Sequence, residues 1–314
     1  MLTLHATNKI TFHITPETRE AYNARLVTKQ QQNWEMSTLS TLFVTFLGVC
    51  PQLIQCCHPP TFSVIDLSHT LESSSLKWPT ASDFKFSILA RGWMQNKFWY
   101  EMNKFDTPEH ISTHLDAPAH FSDTNWKLHE IPADRLVGPG VVIDIRDRVV
   151  NDPDYRLQVS DIESWESVHG TIPKGAVVFM WSGWDSRYPD KTATFNSETP
   201  DDTSTFHFPG FQPEAVRWLI DNRSIGMVGV DTPSTDYGQS VDFEVHRIIS
   251  KANVLGLENV NNLMKLPATG STIVVAPIKV VDGSGVPIRL LALLNHDGQP
   301  LCETNYKDGT CFRP

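Results

Sequence analysis

The amino-acid sequence predicts an α/β fold, because short apolar runs alternate with segments of helical pattern. Four runs rich in β-branched residues have the length and composition of buried strands, at 140–145, 176–181, 225–230 and 271–276. The segment 212–222 has one apolar face and Pro213 in its first turn, and it leads directly into the third run. A second helix is expected from Val159, with Ser160 and Glu163 in the pattern of a capping box. Helix followed by buried strand indicates α/β layering.

Composition, net charge and missing motifs argue against several functional classes. The chain has 314 residues, of which 40% are hydrophobic and 20% charged, as is typical of a folded protein. Its formal net charge of −10 argues against nucleic acid as a partner, because phosphate binding requires a basic face. The sequence contains no Gly-x-Ser-x-Gly nucleophile elbow, and the glycine-containing turn at 282–285 lacks the lysine of a nucleotide-binding loop.

Four candidate metal ligands lie close together in the sequence. His110, His114, Asp116 and His120 supply three imidazoles and one carboxylate at offsets 0, 4, 6 and 10. Imidazole and carboxylate suit Zn²⁺, Mn²⁺ or Fe²⁺, and the lack of cysteine in this segment argues against a thiolate-bound structural zinc. Any one histidine among the 12 in the chain is more often an ordinary surface or core residue. The clustering nevertheless favours a metal site.

The spacing of these residues predicts a bent backbone. All four offsets are even, so an extended chain would direct the side chains to one face. A straight strand would place His110 and His114 roughly 13 Å apart, at about 3.3 Å per residue, which is too far for both to bind one ion. We therefore expect a bend near Ser112, while Pro118 excludes one continuous helix through the segment.

The segment 110–121 resembles the His-x-Gly-Thr-His-x-Asp-x-Pro-x-His-Phe signature of the metal-dependent cyclase family, which includes bacterial kynurenine formamidases and isatin hydrolases. Three further parts of the chain resemble motifs of that family in the expected order. They are an opening strand at 65–71, a strand and turn at 227–234, and the pair His246 and Glu258, twelve residues apart. The resemblance extends over about residues 63 to 295.

This resemblance implies a set of metal ligands. His110, His114 and Asp116 are expected to hold the principal ion. In family members with two ions, Asp116 would bridge to a second ion that also binds the equivalents of His120 and Glu258. The expected ion is Zn²⁺ or Mn²⁺, since imidazole and carboxylate ligands serve both. Whether the site holds one ion or two stays open.

The resemblance also assigns a histidine to proton transfer and raises one question about the bend. His246 is expected to face the substrate as an acid–base or supporting histidine, with His120 as a second candidate proton donor. Ser112 stands where the family has glycine. Because serine reaches positive φ less readily than glycine, Ser112 either has a negative φ or carries strain.

The fold and the reaction follow from the same resemblance. It implies a swivelling β/β/α cyclase-type fold in a single catalytic domain, and a homodimer. The implied reaction is hydrolysis of a non-peptide C–N bond by metal-bound hydroxide, in an aryl formamide such as N-formylkynurenine or a cyclic amide such as isatin. The alternative is a secreted, non-catalytic protein that keeps the fold and binds a small aromatic ligand or a matrix partner. Ligand binding without turnover would distinguish it.

Aromatic residues outside the motifs predict a substrate pocket. Trp181 and Trp184 flank Ser182 and Gly183 at the end of a predicted strand, where ligand pockets often open in α/β proteins. Phe206 and Phe208 precede the helix predicted at 212–222. Each of these side chains alone is compatible with ordinary core packing. Together they predict a pocket for a flat ring, such as an indole derivative.

The two ends of the chain lie outside the predicted catalytic domain at 63–295. Residues 1–35 form an unassigned extension, and 36–62 contain an apolar run, at 39–54, that is too short and too interrupted for a stable membrane span. The run has the length of a signal-peptide core, so the protein is expected to be secreted, with a translation start at Met36 as one hypothesis. The alternatives are a buried or anchoring helix, and a cytoplasmic protein if the run is not a signal. In the C-terminal tail, 296–314, Cys302 and Cys311 are either a disulfide or two free thiols.

Overall fold

A nine-stranded mixed sheet organises the chain, which a computed structural model describes over residues 62–295 and, for the backbone, 303–304 and 311–312. In chain order the strands are β1 (Phe62–Asp66), β2 (Lys85–Trp93), β3 (Trp99–Asp106), β4 (His114–Asp116), β5 (Val137–Asp144), β6 (Arg156–Leu157), β7 (Val177–Trp181), β8 (Gly210–Phe211), β9 (Met227–Val230), β10 (Leu255–Glu258), β11 (Thr269–Ala276), β12 (Gly285–Pro287), β13 (Arg289–Asn295), β14 (Glu303–Thr304) and β15 (Cys311–Phe312). The helices are α1 (Arg146–Val149), α2 (Val159–His169), α3 (Lys191–Phe195), α4 (Pro213–Arg223) and α5 (Glu244–Lys251).

The strand order of this sheet is β1-β13-β11-β5-β7-β9-β10-β4-β12. Its four central strands, from β5 to β10, are parallel, and the outer strands pair antiparallel. The remaining strands form three separate two-stranded pairs, β2 with β3, β6 with β8, and β14 with β15. The structure confirms the predicted α/β layering, because strands β5, β7, β9 and β11 coincide with the four apolar runs and α4 with the helix predicted at 212–222.

Alternating side chains of the parallel strands build two cores on opposite faces of the sheet. On one face, side chains such as Val178 and Val228 pack against the helices through Ile162 of α2 and Leu219 of α4. On the other face, Phe179 belongs to a second core that includes residues of β4, β10, β11 and β13. This second core fixes the position of the short strand β4.

The start of α2 differs from the prediction. The capping box consists of Gln158 and Asp161, not of Ser160 and Glu163. The backbone N–H of Gln158 donates to Asp161 Oδ2 at 2.8 Å, and the Tyr155 hydroxyl donates to the same oxygen at 2.7 Å. The predicted pair was wrong because the Tyr155 contact, which fixes Asp161, depends on the fold of the preceding loop.

Strand β4 carries part of the histidine motif and lies between two other strands of the sheet. It pairs antiparallel with β10 on one side and with β12 on the other. Asp116 is opposite Gly256 of β10 and opposite Gly285 of β12. A Cβ atom on Gly256 would lie 3.2 Å from Asp116 Oδ2, so the missing side chain leaves room for the carboxylate.

The hairpin of β2 and β3 differs from the sheet because its apolar side chains are exposed. The following residues are between 41% and 73% exposed: Phe86, Ile88, Leu89, Trp93, Trp99, Tyr100, Met102 and Phe105. A two-stranded hairpin is marginally stable in water by itself. The hairpin presents apolar side chains to solvent on both of its strands.

Several predictions fall outside the described residues. These are the extension at 1–35, nearly all of the apolar leader at 36–62, and the side chains of Cys302 and Cys311 in the tail. Within the described part of the chain, no helix has the length and apolar character needed to cross a membrane.

Candidate metal centre

The backbone of the histidine motif bends at Ser112. Ser112 has a φ of 56°, in the left-handed region. Of the two expected alternatives, a negative φ or a strained backbone, the structure shows the strained one. A non-glycine residue in this conformation costs about 1–2 kcal/mol. Three hydrogen bonds fix the bend: its N–H donates to Leu76 O at 2.8 Å, its carbonyl accepts from His114 Nδ1 at 2.9 Å, and the Tyr188 hydroxyl donates to its Oγ at 3.1 Å. After the bend, β4 and a 3-10 turn at Pro118–His120 direct the remaining motif side chains.

The motif and β10 bring five candidate ligands together in two groups. The first group is His110, Asp116 and His120, and the second is His114, Asp116 and Glu258. Asp116 belongs to both. In the first group, His110 Nδ1 lies 2.7 Å from Asp116 Oδ1, and the rings of His110 and His120 stack at 3.8 Å. In the second, His114 Nε2 is 3.4 Å both from Asp116 Oδ1 and from Glu258 Oε2.

This grouping differs from the one that the resemblance implies. The resemblance places His110 and His114 on the principal ion and His120 and Glu258 on a second one. In the structure, His110 groups with His120, and His114 with Glu258. The rings of His110 and His114 are nevertheless only 5.3 Å apart, so both face the same space beside Asp116.

The donor atoms fit a divalent cation. Asp116 is 4% exposed, and its Oδ2 has no hydrogen-bond partner among the described residues. A buried carboxylate oxygen without a partner is costly unless a cation compensates it. The His114 ring donates its Nδ1 proton to the Ser112 carbonyl, so Nε2, which faces Asp116 and Glu258, is the atom that would bind a cation. Neutral imidazole and carboxylate are the donors that zinc and manganese sites use.

The pKa values of the candidate ligands also indicate that this site favours a cation. Burial lowers the pKa of His114, but attraction to Asp116 and hydrogen bonds to Asp116 and Glu258 outweigh burial and raise the pKa to about 10. Burial would raise the pKa of Asp116, yet the neighbouring His110 and His114 hold it well below its usual value. Burial lowers the pKa of His120 to about 4. The carboxylates are thus charged and attract a cation, and His120 is a neutral imidazole near pH 7.

His246 faces the same carboxylates from α5, and Asp236 holds its ring. His246 Nε2 lies 3.4 Å from Asp116 Oδ2 and 3.1 Å from Glu258 Oε1. Asp236 Oδ2 accepts from His246 Nδ1 at 2.6 Å, and the same carboxylate accepts the backbone N–H groups of Val245 and His246. Asp236 therefore fixes the start of α5 and the ring orientation together. Sequence reasoning missed Asp236, although it lies just after the 227–234 motif, because its contact with His246 depends on the turn before α5.

A cavity of about 290 Å³ opens beside the candidate ligands. Its lining includes a polar set, which we call the ligand wall: His110, His114, His120, His246 and Glu258. It also includes an apolar, mostly aromatic set, which we call the aromatic wall: Leu76, Trp78, Phe121, Phe195 and Phe243. An apolar cavity with a few convergent polar groups is the usual form of a small-molecule site.

The four aromatic residues that were predicted to line a pocket do not line this cavity. Trp184, Phe206 and Phe208 are at most 2% exposed and belong to the core on the helical face. Phe206 stacks on Phe195 at 4.2 Å, so it supports the aromatic wall from behind. Trp181, the fourth, packs beside the other core, beneath the Arg146 guanidinium.

Asp231 connects the chain just after β7 to the end of β9. Its carboxylate accepts from the backbone N–H and hydroxyl of Ser182 and from the backbone N–H of Trp184. These contacts bind the end of β7 to the end of β9. The cavity lining includes Pro233 and Ser234, which follow β9, and includes neither Trp181 nor Trp184.

Comparisons with known proteins agree with the resemblance seen in the sequence. The model of a family described as putative cyclase matches residues 65–237. An isatin hydrolase from Roseibium aggregatum is 36% identical over 200 residues, which cover 59% of this chain and 72% of that protein. A kynurenine formamidase from Salinibacter ruber is 23% identical over 227 residues, covering 72% and 95%.

A solved structure gives the same result for the fold. An isatin hydrolase bound to the product analogue thioisatinate superposes with a TM-score of 0.68 and 30% identity, covering 74% of this chain and 93% of that one. The match confirms the cyclase-type fold that was expected from the sequence.

Proposed function

The chain belongs to the cyclase family, and on that premise we propose that it is a metal-dependent hydrolase of a non-peptide C–N bond in a small aromatic amide. One observation carries this proposal: two ligand groups share the buried Asp116, and their other members line an apolar cavity. The names of the relatives, isatin hydrolase and kynurenine formamidase, support the same reaction class.

The aromatic wall supports a flat substrate. Trp78 and Phe243 meet with their rings 6.2 Å apart, and Phe121 lies 5.5 Å from Phe243, so the wall presents ring faces and edges to the cavity. Aromatic rings pack well on such surfaces. The proposed substrates are therefore a cyclic amide such as isatin or an aryl formamide such as N-formylkynurenine.

In the proposed reaction the ligand wall binds the metal ion and the aromatic wall binds the ring of the substrate. A divalent ion held by the two ligand groups would supply Lewis-acid polarisation and would lower the pKa of a water from 15.7 to roughly 7. The aromatic wall holds the ring and excludes bulk water, and the amide group then faces His246. Water supplies the oxygen of the new C–O bond at the carbonyl carbon. His246 Nε2 would take a proton from that water and deliver it to the nitrogen as the C–N bond breaks, so that the products are a carboxylic acid and an amine. Asp236 holds His246 in the orientation for this transfer.

Zn²⁺ and Mn²⁺ are the ions that we propose for this centre. The donor set of imidazoles and carboxylates is compatible with both. Because Asp116 belongs to both groups, the geometry supports two neighbouring positions, the first at His110 and His120 and the second at His114 and Glu258. Elemental analysis of the metal content per chain would show whether one position or both are occupied.

The β2–β3 hairpin supports the proposal of a homodimer. Its apolar side chains are exposed on both strands, and a second copy of the chain would cover them. Sedimentation analysis is expected to give the mass of a dimer. Trp99→Glu should shift the mass to that of a monomer, while Lys104→Glu on the same strand should not. A monomeric unmodified protein would contradict the proposal.

Secretion stays a proposal that rests on the apolar leader. N-terminal sequencing of the protein recovered from its native source tests it directly. A mature chain that begins after the leader at 36–62 supports secretion, and an intact N-terminus contradicts it.

The experiment that tests the proposed function measures turnover of isatin and of N-formylkynurenine by the purified chain. Turnover should stop after treatment with a chelator and return with Zn²⁺ or Mn²⁺. Asp116→Asn should abolish it, while Asp154→Asn, which changes an aspartate outside the cavity, should not. Metal-loaded protein that binds isatin in calorimetry without hydrolysing either substrate would favour the non-catalytic, ligand-binding alternative.

A further inference from the structure

The turn at 282–285, which has no role in the reaction proposed above, contacts the outer side of the candidate ligand His110. His110 Nδ1 faces Asp116, while His110 Nε2 lies 3.1 Å from Ser284 Oγ. Ser284 is fixed in place because its carbonyl accepts from the backbone N–H of Ala117, next to Asp116. The serine hydroxyl is therefore held against the ring nitrogen that points away from the other ligands.

Glu109 determines the direction of this hydrogen bond. Its Oε2 accepts the backbone N–H of Ser284 at 3.1 Å and the hydroxyl of Ser284 at 2.5 Å. A carboxylate has no proton to donate, so the serine proton points at Glu109. The lone pairs of Ser284 Oγ then accept the proton on His110 Nε2. The order of donation runs from His110 to Ser284 to Glu109.

Gly285 allows the ring to lie in this position. A Cβ atom on Gly285 would be 2.4 Å from His110 Cε1 and 2.8 Å from the Leu115 carbonyl oxygen. No side chain fits there without displacing the ring. The glycine and the serine of this turn thus provide the space and the acceptor for the same imidazole.

From these contacts we propose that Glu109 and Ser284 are positioning residues that fix the tautomer of His110, so that it binds the metal ion through Nδ1. A neutral imidazole carries one N–H and one lone pair. With the proton held on Nε2, the lone pair of Nδ1 points toward Asp116 Oδ1, 2.7 Å away. Two lone pairs at this distance repel each other unless a cation binds both atoms, so this tautomer favours an ion there. Without the Glu109 acceptor, the serine hydroxyl is free to donate to Nε2, which favours a proton on Nδ1, where the ion would bind. This inference rests on the metal centre of the proposed function, and it concerns binding of the ion.

Metal affinity of four variants tests the proposal. Hydrogen-bond partners of metal-binding histidines typically contribute about 10–100-fold to metal affinity. We therefore expect Ser284→Ala and Glu109→Ala to weaken binding of Zn²⁺ or Mn²⁺ by about that factor, in competition with a chromophoric chelator. Ser284→Thr keeps the hydroxyl and should restore most of the affinity. Ser271→Ala is the matched control, because this buried serine hydroxyl has no hydrogen-bond partner within the described residues. Unchanged affinity in Ser284→Ala would overturn the proposal.

A spectroscopic readout distinguishes positioning from a general loss of structure. In the Zn²⁺-loaded protein, ¹⁵N spectra of the histidine rings should show His110 bound through Nδ1, with a slowly exchanging proton on Nε2. Ser284→Ala should make that proton exchange faster. Binding through Nε2 in the unmodified protein would overturn the proposal.

The outcomes also separate this inference from the proposed function. If the affinity pattern and the ring spectra hold but no amide is hydrolysed, the tautomer assignment stands and the proposed reaction fails. If amides are hydrolysed but His110 binds through Nε2, the reaction stands and the assignment fails. A chain that takes up no divalent ion would overturn both.

Discussion

The ligand wall and the aromatic wall of the same cavity are built in different ways. The ligand wall takes most of its residues from one segment, at 110–120, and its side chains are held by directed hydrogen bonds. The aromatic wall takes its residues from four separate parts of the chain and is held by ring packing. The difference indicates that substitutions in the ligand wall should change metal content and chemistry, whereas substitutions in the aromatic wall should change substrate binding.

The largest effect is expected from loss of a ligand-wall imidazole that touches both carboxylates. His114→Ala should abolish binding at its group and lower kcat/KM about a thousandfold or more, because a metal ion contributes several kcal/mol to transition-state stabilisation. Metal analysis and steady-state kinetics provide the measurement. His169→Ala, a change at an exposed helix end, is the control. Retained metal and activity in His114→Ala would remove this residue from the centre.

Glu258→Ala tests whether the ligand wall holds one ion or two. If both groups bind, removal of the Glu258 carboxylate should halve the metal content, since the group at His110 and His120 remains complete. If a single ion is bound at that group, the content should stay near one per chain. Elemental analysis of the unmodified protein and the variant distinguishes the cases, and two equivalents in the unmodified protein would exclude the single-ion form.

Asp236→Asn tests the support of His246 behind the ligand wall. The amide holds the ring less strongly, so kcat should fall about 10–100-fold with little change in KM or metal content. Asp154→Asn is a matched control, because Asp154 contacts His207 Nδ1 at the same 2.6 Å as Asp236 contacts His246 Nδ1, but outside the cavity. Equal losses in both variants would argue against a specific role for Asp236.

In the aromatic wall, Trp78→Ala should act on binding. Loss of this ring face should raise KM for an aromatic amide about tenfold, equivalent to about 1.4 kcal/mol, with a smaller change in kcat. Trp218→Ala, a half-buried tryptophan on α4 outside the cavity, is the control. A fall in kcat without a rise in KM would contradict the division of roles between the two walls.

The smallest expected effect is on the pH dependence of stability, through His69 next to the bend at Ser112. Burial lowers the pKa of His69 to about 4, below the value of 6.5 for the exposed side chain. The unfolded chain thus binds more protons between these values, and stability should fall as pH decreases from about 6.5 to about 4. His69→Phe keeps the stacking on Tyr188, seen at 3.8 Å, and should reduce this slope in denaturant titrations. An unchanged slope would exclude His69 as its source.

Features that depend on one segment of the chain could be predicted from the sequence, and features that depend on contacts between distant segments could not. The spacing of His110 to His120 and the position of Pro118 predicted a bent segment, and the structure places the bend at Ser112 as expected. The buried runs predicted four strands, because burial on both faces leaves a local composition signature. Trp184, Phe206 and Phe208 were misassigned, because a buried aromatic residue and a pocket aromatic residue have the same local pattern. Only long-range contacts, such as those of Asp231 with Ser182, decide between the two.

Strand β4, held between β10 and β12, also has a consequence for the order of folding. Asp116 meets Glu258 only after β10, from much later in the chain, has paired beside β4. Contacts between residues far apart in sequence carry the highest entropic cost and tend to form late. The centre is therefore complete only when this edge of the sheet has closed. An ion that binds the closed form but not the open chain shifts the folding equilibrium toward the closed form by mass action. Metal uptake during refolding thus reports the last stage of sheet assembly.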